Sequence, residues 1–286
     1  MILDGHIHIR DGNVDQAGLV QRMGEAGVEG GILVSMAPSA FRPDDAVKSA
    51  AERLDNVMAW AQGNANLFPF YWIDPADDDA VEQVAQAVEK GVAGFKIICD
   101  QCLASDELVM EVAREIAAAN RPILFHSGIL WDGKASSAYN RPADFEALLE
   151  IDGLKFSLAH VSWPWCDECI AVYGKFQNAR STRPALATEM FIDTTPGTPA
   201  IYRQEVLTRL FTVGYDVENN VIFGTDCRAN DYNVAWAKEW LARDQKILEK
   251  LKVGAEVVAK VFGGNLQRLV QPTSAPVEKK ALRPAE

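Results

Sequence analysis

Ile2-Leu-Asp-Gly-His-Ile-His-Ile9 is an apolar run carrying two histidines two residues apart, and the reading of this stretch decides the fold. Residues i and i+2 of a strand share a side, so His6 and His8 face the same way. The chain has only four histidines in 286 residues. The other two also close apolar runs: His126 ends Pro122-Ile-Leu-Phe-His126, and His160 ends Phe156-Ser-Leu-Ala-His160. A further run, Val221-Ile-Phe-Gly-Thr-Asp226, ends in a carboxylate. If the strands are parallel and their shared side is an interior, these five groups meet at one mouth.

Working outward, the apolar runs are 2–9, 30–37, 68–73, 93–98, 122–126, 155–160, 187–193 and 221–224. Several are continuous rather than alternating, as in a parallel sheet covered on both faces. Residues 57–61 compete with 68–73 for the third strand. Helical patterns follow the runs at 14–26, 44–54, 77–90, 106–119, 143–150, 165–176, 199–213 and 232–251. Pro75 and a run of Asp suit the start of the third helix, and Ser105 is the expected N-cap of the fourth. Eight strand–helix units predict a (β/α)8 TIM barrel over residues 1–270 as a single catalytic domain. An open doubly wound sheet is the rival, but the first strand runs into His8-Ile-Arg-Asp-Gly12 rather than a glycine-rich phosphate turn. Residues 271–286 read as a loosely ordered tail of Pro, Ser, Lys and Glu.

Lys and Arg number 28 against 40 Asp and Glu, a net charge of −12. Such a chain repels phosphate backbones, so nucleic acid and anionic membranes are not expected partners. No apolar run is long enough to span a bilayer, and the first residues lack a signal core. Five cysteines form no even framework, and a cytoplasmic enzyme is the expectation.

Imidazole and carboxylate together suit a divalent ion such as Zn2+, with Mn2+, Fe2+ or Co2+ also compatible. Lys96 has inward parity if Gly94 and Ile98 face in. A buried lysine is costly unless paired, modified or neutral, and Asp4 is a candidate partner. Asp4 itself shares parity with His6 and is expected to support a ligating histidine. Trp131, Trp163 and Arg228 lie in loops at the same face and are the expected substrate-binding residues, Arg228 as a fork for a carboxylate. Cys99-Asp-Gln-Cys102 and Cys166-Asp-Glu-Cys169 are two Cys-x-x-Cys pairs, read as free thiols rather than a zinc site.

Asp4-Gly-His6-Ile-His8, Gly94-Phe-Lys96, His126-Ser-Gly128, Ala159-His160 and Phe223-Gly-Thr-Asp226 resemble the strand motifs of the amidohydrolase superfamily. Val261-Phe-Gly-Gly-Asn265-Leu-Gln-Arg268-Leu269 is similar to the closing helix of its amidohydrolase-related branch, which includes aminocarboxymuconate-semialdehyde decarboxylase, lactonases and other hydrolases. The resemblance covers about residues 1–270. It implies a metallo-dependent hydrolase barrel, with His6, His8, His126 and Asp226 holding one divalent ion and Asp226 taking a proton from a water. It further implies that His160 polarises the substrate or, with a carboxylated Lys96, holds a second ion. One ion is favoured. Where relatives often place glycines after the sixth-strand histidine, this chain has Val161-Ser-Trp-Pro164, so substrate identity does not carry over. The expected reaction is hydrolysis of a small carboxylated ester, lactone or amide. Decarboxylation of an unsaturated or aromatic acid is the alternative. A homodimer through the exposed helices or the Trp-rich loop is the macromolecular expectation.

Overall fold

The computed structural model describes residues 1–41 and 48–271. Its strands are β1 (Leu3–His8), β2 (Gly30–Val34), β3 (Leu67–Trp72), β4 (Gly94–Ile97), β5 (Ile123–Phe125), β6 (Lys155–Leu158), β7 (Glu189–Asp193), β8 (Val221–Ile222) and β9 (Cys227–Arg228). They form one curled parallel sheet in the order β8-β7-β6-β5-β4-β3-β2-β1-β9. Its two outermost members, β8 and β9, are pieces of a single run, 221–228. Between them the backbone keeps contact with β1: Gly5 N–H donates to Phe223 O at 2.9 Å, and Asp226 N–H to His6 O at 3.0 Å.

Helices α1 (Gln16–Ala26), α2 (Ala50–Ala61), α3 (Ala80–Lys90), α4 (Glu107–Ala118), α5 (Cys166–Thr182) and α6 (Ala200–Thr212) connect strands, and α7 (Val234–Lys250), α8 (Ala255–Ala259) and α9 (Asn265–Val270) follow the last strand and close the described chain. Residues 57–61 belong to α2, so 67–72 is the third strand. The second helix starts later than expected because Ser49 and Glu52 form a reciprocal capping box; residues 44–47 of the expected helix lie outside the described residues. The helix expected over 143–150 is 3-10 (Pro142–Glu150). Ser105 does not cap α4: Asp106 occupies that position, its carboxylate turned back to the Leu103 N–H at 2.8 Å. The expected tail lies outside the described residues from 272 onward. Among the described residues no helix is long and apolar enough to cross a membrane.

Alternation sorts the strand side chains into two layers. Ile32, Val34, Phe70, Trp72, Ile98 and Leu124 pack inside the curl. Ile7, Leu33, Tyr71, Phe95, Ile97 and Phe125 pack outward against the helices. Lys96 therefore points inward with Ile98, as its parity required. In β1 the register shifts between Asp4 and Ile7. Leu3 packs inside and Ile7 outside, so the alternation changes phase at this bulge. His6 and His8 face in, but Asp4 is on the other side, contrary to the parity expected for it. Its carboxylate accepts from Thr225 N–H at 2.9 Å, from Thr225 Oγ1 at 2.5 Å and from Tyr232 Oη at 2.9 Å. It touches His6 only through the backbone N–H, at 3.0 Å, and so anchors the broken eighth strand rather than an imidazole.

Candidate metal centre

His6 and His8 end β1 with their Nε2 atoms 3.1 Å apart. His8 Nε2 stands 3.5 Å from Asp226 Oδ1. Two ligands of a tetrahedral ion with bonds of about 2.0–2.1 Å lie roughly 3.3 Å apart, so these separations are those of donors aimed at a common point. One atom from each of His6, His8 and Asp226 falls within a 4.8 Å group, the one such cluster among the described residues. The trio fits a divalent ion in chemistry and spacing.

The tautomer of His6 is set from behind. Its Nδ1 lies 2.8 Å from Asp193 Oδ2, and a carboxylate can only accept, so Nδ1–H donates and Nε2 keeps its lone pair for the site. Asp193, at the end of β7, is in turn held by the Thr195 N–H at 2.6 Å and the Thr195 hydroxyl. Sequence reasoning gave Asp193 no role. The signal was available, since 187–193 ends in a carboxylate just as the eighth run does.

His126 lines the same cavity but stands outside the trio. Its Nε2 is 3.2 Å from Ile129 O, and its ring lies edge-on to His160 at 5.0 Å. His160 lies 5.3 Å from the His6 ring, nearly parallel to it. Its Nδ1 faces Thr195 O at 3.4 Å, which leaves Nε2 as an acceptor. The backbone that carries it is unusual: His160, Val161 and Ser162 all adopt left-handed φ, 62°, 46° and 55°. For a β-branched valine this costs about 1–3 kcal/mol. Two glycines make room for the turn. A Cβ on Gly197 would fall 2.7 Å from His160 Cβ, and one on Gly128 would fall 2.3 Å from Trp163 O.

Burial dominates the electrostatics. It lowers His6, His8 and His126 well below the ordinary histidine value, with Lys96 adding to the effect on each. It lowers His160 to about 4, with Asp193 pulling the other way. Asp226 opens 39% of its side chain to the cavity, yet the enclosing walls push it up to about 7 against the pull of Lys96. Lys96 is brought down to about 8 by burial, with Asp193 and Asp226 holding it up. The ammonium sits among these groups with no hydrogen-bond partner among the described residues, so the pairing with Asp4 considered for it does not form.

Above the trio opens a cavity of about 320 Å3, lined among others by Arg10, Phe41, Trp72, Lys96, Trp131 and Trp163. Trp131 and Trp163 are placed as expected, Trp131 on the rim with 82% of its surface exposed and Trp163 stacked on Tyr202 at 4.9 Å. Arg228 is not among the lining residues. It pairs in register with His8 at the end of β9 and is exposed there. Among the described residues Arg10, two residues past His8, is the arginine that reaches the cavity. The Cys-x-x-Cys pairs bring no metal cluster together among the described residues, and all five cysteines are free thiols.

No curated protein matches the chain. Among solved structures, an amidohydrolase from Burkholderia multivorans with bound zinc aligns at TM-score 0.63 and 13% identity, covering 94% of this chain and 99% of that one. A 2,6-dihydroxybenzoate decarboxylase from Rhizobium aligns at TM-score 0.61 and 13% identity over 94% and 97%. A probable 2-pyrone-4,6-dicarboxylic acid hydrolase from Acinetobacter baumannii aligns at 0.59 and 10% over 94% and 98%. At such identities these likenesses speak for the fold. The family profile described as amidohydrolase matches residues 4–271, from the strand that carries the two histidines to the closing helix. On that match the chain belongs to the amidohydrolase family, and is a metal-dependent enzyme of that superfamily.

Proposed function

We propose that the chain is a hydrolase using one divalent ion, most simply zinc, to cleave a small carboxylated ester, lactone or amide, on a closed (β/α)8 barrel spanning residues 1–270. The barrel reading rests on the split eighth strand, which bonds to β7 through β8 and to β1 through residues 223–229. The functional reading rests on one observation: the convergence of His6 Nε2, His8 Nε2 and Asp226 Oδ1 at the floor of a cavity. His6, His8 and Asp226 would hold the ion, with His126 on the same wall as fourth candidate. When bound, such an ion lowers the pKa of a water so that hydroxide is available near neutral pH.

The chain's own groups supply the rest. Asp226 accepts the proton of the attacking water and returns it to the leaving oxygen or nitrogen. His160, neutral near pH 7, offers Nε2 as an acceptor that orients that water. This suits its tautomer better than polarising a carbonyl, which would need a donor. Arg10 reads the substrate carboxylate at the mouth, and Trp131 and Trp163 cover the bound molecule.

The test is a panel of small carboxylated lactones, esters and amides, followed by acid release, with metal content measured by elemental analysis. One ion per chain and water-dependent cleavage, lowered about a thousandfold or more in Asp226→Asn, are expected. Carbon dioxide as product would replace hydrolysis with decarboxylation. The aromatic wall of Trp72 and Phe41, whose rings stand 5.1 Å apart beside His8, favours that second reading for a flat acid. Two ions per chain, falling in Lys96→Ala, would overturn the single-ion site.

A further inference from the structure

The two Cys-x-x-Cys pairs share a spacing and differ in everything else. Cys166 and Cys169 lie on the first turn of α5. Both are buried there. Cys227 faces Asn233 O at 3.9 Å. Cys99 and Cys102 instead sit at a bend after β4, and their side chains lie near enough to act on each other. Cys99 is buried and Cys102 half-buried, so only one sulfur of the pair meets solvent.

We propose that Cys99 and Cys102 are a redox modification site, a dithiol that a small-molecule disulfide converts into an intramolecular disulfide. The Cys102 thiolate attacks one sulfur of RSSR, the RS–SR bond breaks, and RS⁻ leaves to take up a proton. The Cys99 sulfur, giving its proton to solvent, then attacks Cys102 Sγ. The mixed disulfide breaks and a second RSH departs. The protein loses two electrons and two thiol hydrogens, and RSSR gains both.

The order follows from the geometry. Cys102 is the accessible sulfur, and its interaction with Cys99 holds its pKa below the ordinary thiol value while raising that of Cys99. At the second pair burial pushes Cys166 up to about 11 and Cys169 to about 12, which disfavours the thiolate that exchange requires. The reactive pair is also wired to the cavity. Asn140 Nδ2 donates to Cys99 O at 2.6 Å, and Asn140 O accepts from Gly128 N–H at 2.9 Å and Ser127 Oγ at 3.1 Å, just past His126.

The experiment equilibrates the full chain in buffers of oxidised and reduced glutathione. The chain is then quenched under acid, unfolded and alkylated, and each cysteine is mapped by mass spectrometry. Cys99 and Cys102 should lose alkylation together, with loss of two hydrogens, and recover it with dithiothreitol. Cys166, Cys169 and Cys227 should stay alkylated throughout. Cys169→Ser should leave the behaviour unchanged, and Cys102→Ser should abolish the disulfide at Cys99. Full alkylation of Cys99 and Cys102 in excess oxidised glutathione would overturn the proposal. So would a lasting glutathione adduct on Cys102, or a disulfide involving any of the other three. The wild-type map decides the matter even if a variant fails to fold.

Discussion

Strand β7 begins and ends on a buried carboxylate, and the two ends behave in opposite ways. At its start Glu189 is tied by Arg180 at 3.0 Å, Arg268 at 2.7 Å and Asn220 at 3.1 Å. Burial pushes its pKa up, but Arg268 and Arg180 outweigh it and hold it below the usual carboxylate value. At the far end Asp193 meets a neutral histidine and a threonine, and burial keeps its pKa raised. Nearby, Lys96 carries an ammonium with no hydrogen-bond partner among the described residues. One end of the sheet satisfies its charges and the other leaves them in want of something. Ordinary stability explains the first. The second departs from that rule, at the end of the sheet where the proposed site opens.

The contrast can be broken by acid. In chelator-treated protein, His160 holds a pKa of about 4 against the ordinary 6.5. A histidine depressed in the folded state lends stability above pH 6.5 that is lost as pH falls through 4. Asp226 at about 7 and Asp4 at about 6 act with the opposite sign, favouring the fold at low pH, so the difference between two chains is the clean measure. Urea denaturation should show wild type losing about 2.4 kcal/mol more than His160→Gln between pH 7 and pH 4.5. Equal losses would mean that the histidine is not a strained neutral group.

At the opposite end, Glu189→Gln should cost about 2 kcal/mol of stability, since the two arginines keep 28% and 30% of their side chains exposed. Turnover at a permissive temperature should be unaffected. A drop in turnover without loss of stability would erase the distinction between the ends. The smallest effect sharpens it: Lys96→Met should stabilise the chelated protein by about 1 kcal/mol, because a buried, unpartnered cation is replaced by an apolar chain. Destabilisation on urea titration would show that Lys96 has a structural partner after all.

Much of the site was legible because its residues are rare and their places are fixed by alternation. Four histidines and Asp226 at the ends of apolar runs located the cavity, and parity turned Lys96 inward. The failures share a cause: local pattern does not report register. The bulge in β1 reverses Asp4, alternation past His8 brings Arg10 rather than Arg228 to the cavity, and Asp193 finds His6 across 187 residues. The 3-10 turns at Pro142–Glu150 carried a helical pattern too short to show which helix it was. Cys-x-x-Cys spacing could not separate a bend from a helical turn, which is the whole difference between its two occurrences.

The interrupted eighth strand has one more consequence. His6 and His8 are locked to each other by the pleat of β1, whereas Asp226 rides on a four-residue break, at φ 58°, slung from Asp4 through Thr225. Ions of different radius ask their donors to stand at different distances. If Asp226 is a ligand as proposed, that adjustment would fall on one carboxylate carried by the break, whose N–H bond to His6 O leaves its side chain free to turn. Tolerance toward the size of the guest would then lie in the interruption of the eighth strand rather than in β1.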